Sequence, residues 1–160
     1  MGPSTVRAIE PGDRPWIESM AGRLWGADFV VAHGRVFRPV ELPGFIADDG
    51  GPTGLLTYRM DDDGDLEVVT IDALDGDRGT GTALLEAAVE EARRAGSRRV
   101  WLITTNDNLT GLAFYQKRGF QLVELRPGAV DRSRDLKPQI PLVGPSGIPI
   151  RDELVLEQEL

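Results

Sequence analysis

Arg78-Gly79-Thr80-Gly81-Thr82-Ala83 lies between an apolar, branched run (LEVVTIDAL, from Leu66) and a helical one (ALLEAAVEEARRAG, from Ala83). Glycine at a helix start costs about 1 kcal/mol relative to alanine. Two glycines and two threonines there need an offsetting interaction. The first N–H groups of a helix have no internal partners, and the helix dipole is positive at that end. Glycines let a bulky anion approach the bare backbone. The stretch therefore reads as strand, anion-binding turn and helix. Two phosphate loops are excluded. No Gly-Lys-Ser/Thr follows, as a Walker A loop needs, and Leu84 stands where the third glycine of a dinucleotide fingerprint belongs.

Working outward, residues 79–95 form the clearest helix. Leu84, Leu85, Ala88, Ala92 and Ala95 share one face, and Glu86, Glu90, Arg93 and Arg94 the other. Glu90 and Arg94 have the spacing for an ion pair, and Gly96 ends the helix. Strands are predicted over 5–9, 44–48, 54–60, 66–73, 99–104 and 120–125, and helices over 11–25 and 109–118. The stretch 30–44, with Gly34, Pro39 and Pro43, reads as a loop or a broken helix. The acidic stretch 61–65 has a glycine and invites a calcium reading. It lacks the twelve-residue calcium loop, so a hairpin turn is the reading taken. Residues 126–151 hold five prolines and three glycines. This long excursion is either a flap or a spacer. A last strand over 152–160, with Leu154 and Leu156 among charged neighbours, has the pattern of a sheet edge.

The 160 residues suffice for a single domain over 1–160. There is no cysteine, so disulfides, thiolate metal sites and cysteine nucleophiles are excluded. One histidine, His33, argues against a histidine zinc site or a Ser-His-Asp triad; it reads as a surface residue. Trp16, Trp25 and Trp101 read as packing residues. No metal is expected. The net charge of −8 excludes the basic face of a nucleic-acid binder. It either favours a cationic partner or merely keeps the chain soluble. No apolar run is long enough to cross a bilayer, and the first residues lack a secretory pattern. A cytoplasmic protein without membrane contact is expected.

The turn from Arg78 to Ala83 resembles Arg-x-x-Gly-x-Gly/Ala, the pyrophosphate signature of the GNAT superfamily of acyl-CoA-dependent N-acetyltransferases. Downstream, NDNLTGLAFYQKRGF (106–120) is similar to that superfamily's second signature, with Asn108, Tyr115, Lys117, Gly119 and Phe120 in register. Gly111 stands where alanine is usual, a departure expected to matter little. The resemblance covers residues 54–125.

The resemblance implies a mixed α/β fold: a central, mostly antiparallel sheet of six or seven strands flanked by helices, with two parallel strands, 66–73 and 99–104, splayed apart. Acetyl-CoA would be the cosubstrate. Its pantetheine arm would bond to the backbone of Ile71 and Ala73, and its pyrophosphate to the amides of Gly79, Thr80, Gly81, Thr82 and Ala83. Arg78 would add charge, and Asn108 would touch the arm from the far side. Asn108 also reads as a helix N-cap. The implied reaction is direct acetyl transfer to a primary amine of a small molecule or protein. Tyr115 would protonate the leaving thiolate, and its plain alternative is packing beside Phe114. The general base would be Glu67 first, Asp72 second and Asp65 last. Glu67 reads equally as an exposed strand carboxylate. Arg132, Arg134 or Lys137 would face the acceptor. A non-catalytic acyl-CoA-binding sensor or interaction module is the alternative function, and a nucleotide binder a distant third. The oligomeric state is open, a homodimer being one option.

Overall fold

The computed structural model describes residues 5–76 and 79–160. The strands are β1 (Thr5–Ala8), β2 (Val30–Ala32), β3 (Arg35–Phe37), β4 (Gly44–Asp48), β5 (Pro52–Met60), β6 (Leu66–Ala73), β7 (Arg99–Thr105), β8 (Gln121–Arg126) and β9 (Glu153–Glu159). The helices are α1 (Arg14–Trp25), α2 (Thr80–Arg94), α3 (Leu109–Lys117) and the short α4 (Ala129–Ser133). Seven strands form one sheet in the order β1-β4-β5-β6-β7-β9-β8. Every neighbouring pair is antiparallel except β6 and β7. The α/β architecture is the one the sequence implied.

The sheet divides two cores. On one face α2 lays Leu84, Leu85, Ala88 and Ala92 onto Leu56, Leu66, Val100 and Leu156, and α3 adds Tyr115. On the other, α1 buries Ile17 against Ile46 and Leu55, with Trp16 and Trp25 half-buried at the border. Gly44 and Gly54 allow close packing. A Cβ on Gly44 would stand 1.9 Å from the Leu56 carbonyl oxygen, and one on Gly54 2.7 Å from the Thr80 methyl.

Three stretches differ from their sequence reading. Residues 30–37 form a β-hairpin (β2–β3), neither loop nor broken helix. Its two-residue turn is His33-Gly34, both with positive φ (40° and 75°), the conformation that suits the twist of paired strands. Three residues per strand are too few to show a period. The last strand is not an edge: β9 inserts between β7 and β8, leaving β8 outermost. On α2, Arg93 pairs with Glu90 and Arg94 with Glu91, so the expected Glu90–Arg94 pair does not form.

The excursion between β8 and β9 is pinned down. The Arg134 guanidinium donates to the carbonyls of Ile140, Pro141 and Ile150. Lys137 donates to those of Trp25 and Phe29 at 2.7 and 2.9 Å. Among the described residues no helix is long and apolar enough to cross a membrane.

Candidate active site

Strands β6 and β7 pair only over Leu66–Val68 and Val100–Leu102. Past that point they separate. The cause lies in β6 itself: against β5, Thr57 faces Thr70 while Tyr58 faces Val68, so Val69 is an extra residue. Such a bulge bends its strand. The Leu74 N–H donates to Thr53 on the β5 side. Strict alternation along an antiparallel pair then turns the main-chain groups of Asp72 toward β5 and those of Ile71 and Ala73 toward the gap.

The gap leads to the start of α2. Gly79 is its N-cap, in the left-handed region, and no side chain among the described residues caps the helix. The Ala83 N–H already donates to the Gly79 carbonyl at 3.0 Å. Ala83 is thus removed from the expected anion-binding set, because the fourth helical amide lies inside the intrahelical ladder. Among the described residues, the amides of Thr80, Gly81 and Thr82 have no hydrogen-bond partner. The Thr80 hydroxyl is buried and donates to Asp75 at 2.8 Å. Arg78 lies outside the described residues.

A cation the sequence reading missed stands beside this turn. Arg118 donates through Nε to the Thr82 hydroxyl at 2.7 Å, and its guanidinium lies 3.8 Å from the Phe114 ring centroid. It occupies a variable position of the second signature. Its one sequence signal was a basic residue at the end of a helix.

Asn108 caps α3: its Oδ1 accepts from the Gly111 N–H and its Nδ2 donates to the Thr104 hydroxyl. Gly111 matters more than expected. A Cβ there would sit 2.2 Å from the Asn108 amide nitrogen and displace the cap.

Tyr115 is buried between Phe114 and Phe120. Burial, and next the charge of Asp72, push its phenol up to about 12, and no hydrogen bond contributes. Asp72 accepts from the Trp25 indole at 3.2 Å. Burial raises its carboxyl to about 6, against a smaller opposing effect of that bond.

Glu67 is 1% exposed, which removes the exposed-carboxylate reading. Its oxygens meet Arg59 Nε at 2.5 Å and His33 Nε2 at 3.0 Å. His33 is therefore no surface residue. The hairpin turn drives it beneath the sheet face, against Phe37 and Trp101, and its backbone N–H donates to Glu153 at 3.1 Å. Asp65 sits at the opposite end of β6 from the gap, bonded to the Arg98 N–H and to Arg99.

A cavity of about 470 Å³ opens between α1, β2, the excursion and the end of β7. Trp25, Val31, Asn108, Lys137, Ile140 and Glu153 are among the residues that line it. Arg132 borders a smaller cavity with His33. Arg134 is committed to holding the excursion and lines neither.

Residues 14–120 match the model of the acetyltransferase (GNAT) family. Two Bacillus subtilis (strain 168) proteins are close in sequence. YxbD is 44% identical over 85% of this chain and 86% of its own length, and YdhI 43% identical over 84% of each. The fold resembles the IAA acetyltransferase from Bacillus cereus ATCC 14579, with a TM-score of 0.71, 22% identity, and coverage of 98% of this chain and 99% of that one. It also resembles a GNAT family acetyltransferase from Elizabethkingia anophelis with acetyl-CoA bound, with a TM-score of 0.71, 18% identity and full coverage of both. The family match spans more than half of the chain, and the bulged, splayed strand pair suits it: the chain belongs to the acetyltransferase (GNAT) family.

Proposed function

We propose that the protein is an N-acetyltransferase that passes the acetyl group of acetyl-CoA directly to a primary amine. The observation that supports this reading is a pair of main-chain sets without hydrogen-bond partners among the described residues, Ile71 and Ala73 on the splayed part of β6 and the amides of Thr80, Gly81 and Thr82 at the start of α2. The pantetheine arm lies along the first pair and the pyrophosphate on the second set, with Arg118 adding positive charge. Asn108 bounds the arm from α3.

The amine nitrogen attacks the thioester carbon. A C–N bond forms, the C–S bond breaks, and the proton lost by nitrogen ends on sulfur. Tyr115 stays protonated at neutral pH and donates to the departing sulfur. Asp72 takes the base role ahead of Glu67. Its carboxyl, lifted to about 6, is matched to accept a proton near neutrality, whereas the Glu67 oxygens already accept from Arg59 and His33. A second reading keeps Glu67 as base, acting through His33, whose Nε2 touches it.

Thiol release with a panel of primary amines tests the function. Binding of acetyl-CoA without thiol release from any amine would make the chain a binding module instead. The pH–rate profile separates the two bases. With Asp72 as base, activity falls as pH drops through about 6, and that limb disappears in Asp72→Asn and survives in Glu67→Gln. The reverse pattern assigns the role to Glu67.

A further inference from the structure

The 470 Å³ cavity borders the splayed strands. Thr105, the last residue of β7, lines it. Trp25 lines it as well, and its indole N–H donates to Asp72 on β6. The body of an amine that reacts in the gap has this space to enter. Leu24, Trp25, Val30, Val31, Val130 and Ile140 supply the apolar wall. All but Val130 are half-buried and keep apolar surface that a ligand can cover.

The polar side chains of the wall are partnered within the protein. The Thr105 hydroxyl donates to Asp107, and the Ser133 hydroxyl to the Ala129 carbonyl. Asn108 accepts from the Gly111 N–H and donates to the Thr104 hydroxyl. Lys137 is 7% exposed, and its ammonium donates to the carbonyls of Trp25 and Phe29. Glu153 Oε2 accepts the His33 N–H, and its Oε1 is enclosed, without surface toward the cavity. A charge carried into this space would give up its water and meet groups that are already paired. A methylene carried there gains from burial. The wall is also preformed: Lys137 ties the excursion to the end of α1, and Arg134 holds the carbonyls of Ile140, Pro141 and Ile150.

We infer that the acceptor is a primary amine on an uncharged apolar body, an alkyl or aralkyl amine, whose nitrogen lies in the gap and whose body fills the cavity. This rests on the acetyl-transfer reading and gives it a substrate class. The nitrogen exchanges one proton for the acetyl group, and that proton leaves on the sulfur of coenzyme A.

The test compares linear monoamines of three to six carbons with α,ω-diamines of equal length, by thiol release with acetyl-CoA. It is run at about 150 mM salt, where the long-range pull of the net charge on a dication is screened to about 8 Å. For the monoamines, kcat/KM should rise about threefold per added methylene. The six-carbon monoamine should exceed the six-carbon diamine by at least about tenfold. Ile140→Ala trims the wall and keeps the main-chain bonds of residue 140 to Lys137 and Arg134. It should cut the ratio between the six- and three-carbon monoamines at least about threefold, through KM for the longer one. A series flat in chain length overturns the inference, and so does a diamine turned over as well as its monoamine. An unchanged ratio in Ile140→Ala overturns it too, because the body would then lie elsewhere. Should that variant not fold, the wild-type series decides alone. These results defeat only this inference. Acetyl-CoA binding with no turnover of any amine defeats the acetyl-transfer reading with it.

Discussion

Asp72 is half-buried beside an indole, and ionising it there is unfavourable. Its raised carboxyl fixes the sign of a stability effect. Between pH 4 and 6 the folded state holds a proton that the unfolded state has lost, so stability falls as pH rises through that window and levels off above it. Asp72→Asn should therefore be more stable than wild type at pH 7, by up to about 3 kcal/mol, with the gain vanishing below pH 4. Urea unfolding at the two pH values reads this directly. Tyr115→Phe removes only the phenol oxygen. It should lower kcat by about 10² to 10⁴ and leave acetyl-CoA affinity unchanged in calorimetry; an unchanged kcat would return Tyr115 to a packing role. Gly111→Ala should cost about 1 kcal/mol in thermal unfolding, because the new methyl displaces the Asn108 cap. The two signatures made Tyr115 and Asn108 legible in the sequence. The half-buried position of His33 and the buried one of Glu67 were not, since each depends on a hairpin turn that brings together residues 34 positions apart.

At the scale of elements, the bulge at Val69 and the bare start of α2 act together. Gly54 on β5 sets how closely α2 approaches, since a Cβ there would meet Thr80, Leu84 and the Asp72 carbonyl at 2.7, 3.0 and 3.1 Å. Thr80 cannot swing aside without losing its bond to Asp75. Gly54→Ala should destabilise the fold by about 1–3 kcal/mol and weaken acetyl-CoA binding as the first turn of α2 shifts; denaturation and calorimetry measure the two. Helix α2 could be read from its one-sided periodicity, and strands β5, β6 and β7 from runs of apolar and branched residues that are buried on both faces. The short hairpin β2–β3 could not, and the bulge is a pairing event that no single strand displays.

For the whole molecule, sequence pattern supplied the strands but not their order. Placing β9 between β7 and β8 depends on two sets of long-range pairings, and Leu154 and Leu156 among charged neighbours suit an inner strand whose glutamates find partners as well as an edge. Glu157 takes Arg99, and Glu153 takes the His33 N–H. The net charge of −8 bears on both substrates. It attracts a cationic acceptor at long range and repels an anionic donor, so donor binding must come from local groups at the start of α2. With a cationic amine acceptor, kcat/KM should therefore fall as ionic strength rises from 10 to 150 mM, the range over which screening shortens from about 30 to about 8 Å.

The central claim is that acetyl-CoA lies along β6 and ends on the open amides of α2. Residue-resolved amide NMR of the nitrogen-15-labelled chain, titrated with coenzyme A, tests it most directly. The account predicts the largest shifts at Ile71, Ala73, Thr80, Gly81 and Thr82, with little change at β1 or β4. No shift at saturating ligand, or largest shifts confined to another face of the sheet, would contradict it.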